Sequence, residues 1–342
     1  MERIGFFQFF PPTLWTPGGG EVQLAKTRKA LEELGVEVIL FDIWSRRKDF
    51  DALHVFGSTY ELSSFVQAAK GLGLPVIVSV IAYSAKPSWQ WKVWKTIDPF
   101  LPIPTTYTLR QKIYDTADRL IAASKAEAEQ LRQGFRIDDT KIRYVPHGVD
   151  VDRFVQADPN LFIERYGIKD FVLQVSRINK HKGQARLIRA LKGTGLKLVF
   201  LGPLDPIDKD GVKEFLNLVE ENKKWVYYLG TINHDDPLLA SAYKAAKVHV
   251  LPSTIVESPG LVTLEATAAG IAAVSGKYPT LYDYVGDRVY YCDPHSELSI
   301  KETVLKAYEK GPIPGAQDYV INNFSWRHTA EKLIKIYEEV IK

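Results

Sequence analysis

Short β-rich runs alternate with helix-patterned segments along almost the whole chain, and this alternation restricts the fold more than any other feature. Ile4–Phe9 reads as a strand. Glu21–Leu34 then has apolar or small residues at 22, 24, 25, 30, 31 and 34, a helical period that Gly35 ends. Val36–Phe41, Ala52–Phe56, Val76–Val80, Arg119–Ala122 and Lys141–Val145 read as further strands, with helices over Glu61–Gly71 and Lys125–Gln133. The pattern restarts with strands at Phe171–Val175, Lys197–Leu201, Val226–Leu229, Val248–Leu251 and Ala272–Ser275. Helices are expected over Gln184–Leu191, Gly211–Glu221, Pro237–Ala246 and Leu261–Ala269. Strand, crossover, strand repeated in this way predicts an α/β architecture of parallel, doubly wound sheets covered on both faces.

At about 150 residues per domain, 342 residues suggest two domains. The Pro and Gly of Val145–Phe154 place the break near residue 150, giving domains 1–150 and 151–324. A final amphipathic helix, Trp326–Ile341, lies within 325–342. The net charge is +3, and the basic excess is confined to neither half, so no global field favours nucleic acid. A single cysteine, Cys292, excludes an intrachain disulfide and a cysteine-held metal cluster, and points to a reducing, cytoplasmic setting. The first residues lack the features of a signal peptide, and no stretch approaches the ~18 apolar residues of a membrane span.

Lys86–Lys112 departs from the alternation. It holds Trp89, Trp91, Trp94, Phe100 and Tyr107, four prolines, and five basic residues against Asp98 alone. We read it as a long loop or lid. Its rings either pack on the domain surface or form an acceptor platform or a peripheral patch at a membrane interface, where Trp and cations are favoured.

Three groups could carry chemistry. Pro252–Glu265 follows a strand and runs into a helix near Pro259–Leu261, whose free N–H groups and dipole would suit an anion. Glu257 lies just outside that helix and Glu265 about a turn inside it. Two carboxylates flanking an anion site make sense if each accepts hydroxyls on either side of a diphosphate. For the two glutamates alone, a helix-terminal acid and a solvated glutamate explain them better. Arg177–Gly183, directly after a strand, offers a guanidinium fork and a Lys182 point charge for phosphate. Gly18-Gly19-Gly20-Glu21 is a close-approach loop, not a dinucleotide fingerprint, since Gln23 stands at the third glycine position.

Together, in this order, these groups resemble the motifs of retaining glycosyltransferase family 4. Glu257 and Glu265 are separated by seven residues that include Gly260-Leu261, and Arg177 with Lys182-Gly183 resembles the family's basic pair. Gly18–Glu21 resembles its N-terminal glycine loop, and Val145–Asp150 its interdomain segment. The resemblance implies a GT-B fold of two Rossmann-like domains facing across a cleft, with the last helix returning to the first domain. It implies metal-independent, retaining transfer of a sugar from a nucleotide-diphosphate sugar to a carbohydrate or lipid-linked acceptor, with no cofactor.

The resemblance assigns Arg177, Lys182 and Glu257 as catalytic. It assigns Gly19, Gly20, Gly230, Thr231, Ser258, Gly260, Leu261, Val262 and Glu265 to the donor, with Glu265 on the ribose and Gly230–Ile232 near the base. The family usually has a histidine after the strand Val76–Val80, where this chain has Ile81, leaving Tyr83, Ser84 and Trp89 as acceptor-side candidates. His147 stands where Asn is usual, and Ser258-Pro259 where Gly-Phe is common. Asp208-Lys209-Asp210 looks like a metal motif, but capping explains it better, so no metal is expected. The competing expectations are a nucleotide-sugar-binding relative with lost transfer, or a GT-B epimerase or phosphorylase.

Overall fold

The computed structural model describes every residue except 1, 9–18, 43, 46, 48, 85, 87, 102, 259 and 342, and gives no side-chain account of 19, 21, 88 and 99. It contains two compact units: 1–148 with 326–342, and 149–325. The first holds β1 (Arg3–Gln8), β2 (Glu37–Leu40), β3 (Ala52–Phe56), β4 (Val76–Ser79), β5 (Arg119–Ala122) and β6 (Ile142–Tyr144). The second holds β7 (Phe171–Val175), β8 (Leu198–Leu201), β9 (Val226–Tyr228), β10 (Ala246–Leu251), β11 (Ala272–Gly276) and β12 (Tyr290–Cys292).

Each unit is one six-stranded sheet, ordered β2-β1-β3-β4-β5-β6 in the first and β12-β11-β10-β7-β8-β9 in the second. All the strand pairs are parallel. Helices cover both faces, so β3, β4 and β8 are buried along their whole length. That is why these strands read as continuous apolar runs instead of alternating ones. The boundary falls between Gly148 and Val149, and the chain rejoins the first unit at Trp326.

The segment read as a loop or lid, Lys86–Lys112, is largely helical. Helices span Ser88–Ile97 and Thr106–Thr116, with a short 3-10 turn at Asp98–Phe100. Pro99 and Pro104 fall between these two helices, where they punctuate without unwinding them, and Pro87 and Pro102 lie outside the described residues. Trp91 stacks on Tyr107 (centroids 6.1 Å apart) and Tyr107 on Phe135 (4.9 Å). Gly134 permits the approach, since a Cβ there would lie 3.2 Å from Trp91 Cβ. Thr105 caps the second helix by accepting from the Thr108 amide at 3.2 Å. Trp91 and Tyr107 belong to this inward stack, a long-range contact that local reading does not register.

The terminal helix Trp326–Ile341 is tied to the first unit through a buried histidine. His54 Nδ1 lies 2.8 Å from Tyr337 Oη and His54 Nε2 lies 2.8 Å from Ser79 Oγ. Thr329 donates to the Pro146 carbonyl at 2.9 Å, and Arg143 and Arg119 both reach Glu339 at the far end. Both ring nitrogens of His54 thus face neutral hydroxyls, and burial lowers its pKa to about 3. His249 falls to about 3 and His147 to about 4, also through burial.

These histidines stay neutral when folded and protonate near pH 6.5 when unfolded. Their stabilisation is therefore complete above pH 6.5 and drains away as pH falls toward 3–4. Each contributes a slope of at most ~1.4 kcal/mol per pH unit in that window. In urea unfolding between pH 7 and 5, His54→Gln is expected to lose stability less steeply than the parent chain; equal slopes would refute the assignment. A second test concerns Gly202, just after β8. Its φ is +139°, and a Cβ there would collide with the Ser176 carbonyl. Gly202→Ala is expected to lower stability by about 1–3 kcal/mol, read in the same titration.

Candidate functional site

In the second unit the chain winds outward from β7 through β8 to β9, then returns to the other flank of β7 as β10. At such a reversal the crossovers leave on opposite faces, and a crevice opens beyond the carboxyl ends of the two central strands. The loops there follow β7 and β10. They carry Arg177–Gly183 and the first part of Pro252–Glu265, the two polar groups singled out from the sequence.

The β7 loop is held from within. Asn179 Oδ1 accepts from the amides of His181 and Lys182, each at 3.1 Å, and its amide group donates to Asp205 Oδ2 at 2.9 Å. Asp208 accepts from the Lys180 amide at 2.7 Å and from the Gly211 amide at 3.1 Å. Asp208 therefore caps the helix Lys209–Glu221 and pins the basic turn together. Gly183, with φ +76°, ends the turn and caps the helix Gln184–Leu191; a Cβ there would lie 2.5 Å from the Pro252 carbonyl oxygen. The Thr254 amide donates to the His181 carbonyl at 2.7 Å, joining the two loops through the backbone.

The side chains close the same junction. Lys182 Nζ lies 2.6 Å from Glu257 Oε1, with the side chains 21% and 12% exposed. Thr280 Oγ1 donates to the Glu257 carbonyl. Gly260, φ +84°, then turns the chain into the helix Leu261–Ala268. Ser258, Leu261 and Val262 are half-buried beside it, and Pro259 lies outside the described residues. Arg177 is half-buried on the β7 loop, its carbonyl held by Gln184 Nε2 at 2.8 Å. The structure thus joins Lys182 to Glu257 directly and puts Arg177 and Gly260 on the same two loops.

Glu265 is neither solvated nor loose. It is 4% exposed, accepts from the Tyr243 hydroxyl at 2.7 Å through Oε2, and lies 3.0 Å from His234 Nε2 through Oε1. Burial, and then the Glu265 carboxylate, hold the Tyr243 hydroxyl well above the ordinary tyrosine pKa, so Tyr243 is the donor. His234 Nδ1 in turn faces Arg153 Nη1 at 3.4 Å. His234 lies just beyond the Gly230–Ile232 stretch singled out from sequence, in a polar Asn-His-Asp-Asp run that looks like a plain solvated loop. Only its contact with Glu265 marks it. Gly230 adopts φ +75° and accepts from the Gly202 amide at 2.8 Å, while Thr231 is exposed. Among the described residues, Asp150, His234 and Asp235 bring potential metal-ligand atoms within 4.8 Å of one another.

The remaining candidates belong to the first unit. Gly19 and Gly20 begin the helix Gly19–Glu33, and Gly18 lies outside the described residues. Tyr83 and Ser84 are half-buried after β4. Gln130 holds both backbone groups of Ser84, at 3.1 and 2.8 Å. Trp89 is 61% exposed on the helix Ser88–Ile97. Ile81 has φ +44°, an outlier for a β-branched residue. Glu127, which sequence reading passes over, is fully buried and accepts from the Ala82 and Ala123 amides at 2.7 Å each. It staples the ends of β4 and β5, and burial raises its pKa.

Comparison with known proteins accords with this geometry. Residues 162–338, more than half of the chain, match the family described as Glycosyl transferases group 1, and residues 42–153 match Glycosyltransferase Family 4. A D-inositol 3-phosphate glycosyltransferase of Mycolicibacterium smegmatis is 28% identical over 241 residues, covering 68% of this chain and 55% of the relative. The chain spans little more than half the length of that relative and of two others of the same name. The sucrose-phosphate synthase of Thermosynechococcus elongatus superposes with a TM-score of 0.79 at 17% identity, over 99% of both chains. Anabaena HepE in complex with UDP-glucose superposes with a TM-score of 0.73 at 16% identity, over 99% of this chain and 100% of its own. The fold is of GT-B type, and the chain belongs to the glycosyl transferases group 1 family.

Proposed function

We propose that this chain transfers a sugar from a nucleotide-diphosphate sugar to an acceptor hydroxyl, with retention at the anomeric carbon and without a metal ion. The observation that carries this reading is the Lys182–Glu257 contact, 2.6 Å across the ends of β7 and β10. It sets a cation and a carboxylate side by side at the sheet's reversal point. A diphosphate asks for the cation, and the hydroxyls of the attached sugar ask for the carboxylate.

In the reaction, the bond between the anomeric carbon and the diphosphate oxygen breaks while the acceptor oxygen forms its bond on the same face. The acceptor proton passes to the departing phosphate oxygen, so no carboxylate nucleophile is needed. Arg177 and Lys182 bear the negative charge that grows on the diphosphate, an interaction stronger in the transition state than in the ground state. Backbone N–H groups at Gly260–Leu261 supplement them. Glu257 orients the sugar. Glu265 uses lone pairs left over from Tyr243 and His234 for the ribose, its carboxylate already aimed by those two partners.

HepE, a structural neighbour, binds UDP-glucose, so UDP and UDP-glucose are the first probes. Both are expected to raise the melting temperature. Lys182→Ala removes a charge-assisted contact worth ~1.5–3 kcal/mol and is expected to weaken UDP binding roughly 10- to 100-fold. Glu257→Gln is expected to keep UDP affinity within a few-fold and to abolish turnover of the sugar donor. Unchanged donor binding and turnover in both variants would overturn the reading.

Incubation with EDTA is expected to leave the rate unchanged. A rate lost with EDTA and restored by a divalent cation would redirect attention to Asp150, His234 and Asp235. The strained Ile81, standing where the family usually has histidine, favours one second reading: a nucleotide-sugar-binding protein without transfer. Donor binding with neither hydrolysis nor transfer across an acceptor panel would select it.

A further inference from the structure

The helix Ser88–Ile97 and the turn after it present an apolar face to solvent. Trp89, Val93, Trp94, Ile97, Phe100 and Ile103 are all exposed, Trp89 by 61%, Ile103 by 70% and Phe100 by 84%. Trp89, Val93 and Ile97 follow one another at four-residue spacing and so share one side of the helix. Exposed apolar side chains gathered on one helix and the turn after it mark a contact surface. The face is packed from beneath. Trp91 packs into the Tyr107 and Phe135 stack, and Lys95 Nζ donates to the Phe135 carbonyl at 3.0 Å.

Charge chooses the partner. Lys86 and Lys92 are exposed beside the apolar residues. The single acid of the segment, Asp98, accepts from the hydroxyls of Thr105 and Thr108. The outward face is therefore apolar, rich in tryptophan and positive. The apolar centre of a protein–protein interface is depleted in lysine. Tryptophan at the headgroup boundary with lysines toward anionic headgroups is the pattern of a helix lying in a membrane interface. No helix among the described residues is long and apolar enough to cross a membrane, so the contact of this helix is peripheral.

We propose that the face formed by Trp89, Lys92, Val93, Trp94, Ile97 and Phe100 docks this chain onto an anionic phospholipid surface. The proposal stands independently of the donor reading, because the donor candidates at β7 and β10 belong to the other unit.

The full chain would be floated with phosphatidylcholine vesicles, with and without about 30 mol% phosphatidylglycerol. It is expected to float with the anionic vesicles, to be released by raised salt, and to shift its tryptophan emission to the blue. Trp94→Ser combined with Phe100→Ser is expected to reduce the floated fraction about tenfold, while leaving the melting temperature and its rise with UDP unchanged. No flotation of the parent chain would overturn the proposal, as would equal flotation of the variant. So would a concentration-dependent dimer that the same two substitutions abolish without lipid, since the face would then be covered by a second copy. A parent chain that floats but ignores UDP would leave this proposal standing and sink the donor reading.

Discussion

β7 and β10 lie side by side in parallel, Val172 against Val248 and Leu173 against His249, although β8 and β9 come between them in the chain. Their carboxyl ends consequently open onto the same edge of the sheet. The loop from β7 can supply cations and the loop from β10 a carboxylate and a helix start, and the two meet at Lys182 and Glu257. Nothing in either loop alone would build that junction. Each is braced by its own partners, Asn179 and Asp208 on one side and Thr280 on the other. What brings them together is the winding order of a parallel sheet, which cannot join neighbouring strands by a short turn.

Glycine positions show how closely the backbone is drawn around this edge. Gly183 lies against the Pro252 carbonyl and Gly202 against the Ser176 carbonyl, both at positive φ. A side chain at either would push apart the strand ends that carry the candidate groups. In the first unit the strand ends are held by a different device. There a buried carboxylate, Glu127, and a buried histidine, His54, knit strand ends and the terminal helix together with hydrogen bonds.

The element pattern is legible because strand and helix periods differ, and because fully buried parallel strands announce themselves as apolar runs. The terminal helix over 326–341 and the alternation within both units follow from that pattern. Ordered motifs also make Arg177, Lys182, Glu257 and Gly260 stand out, since each lies in a loop after a strand, where ligand-facing residues collect. Lys86–Lys112 reads as a loop and folds as helices. Its prolines signal irregularity locally, whereas Trp91, Tyr107 and Phe135 find one another only in three dimensions.

The sequence by itself determined the α/β class, the division into two units and the chemistry available at each strand end. Those depend on side-chain type and spacing along the chain. The fold alone decided that Lys182 touches Glu257, that Glu265 is buried between Tyr243 and His234, and which rings of the tryptophan-rich segment face solvent. Such facts depend on which distant residues share a surface, and periodicity carries no information about that until the sheet order is set.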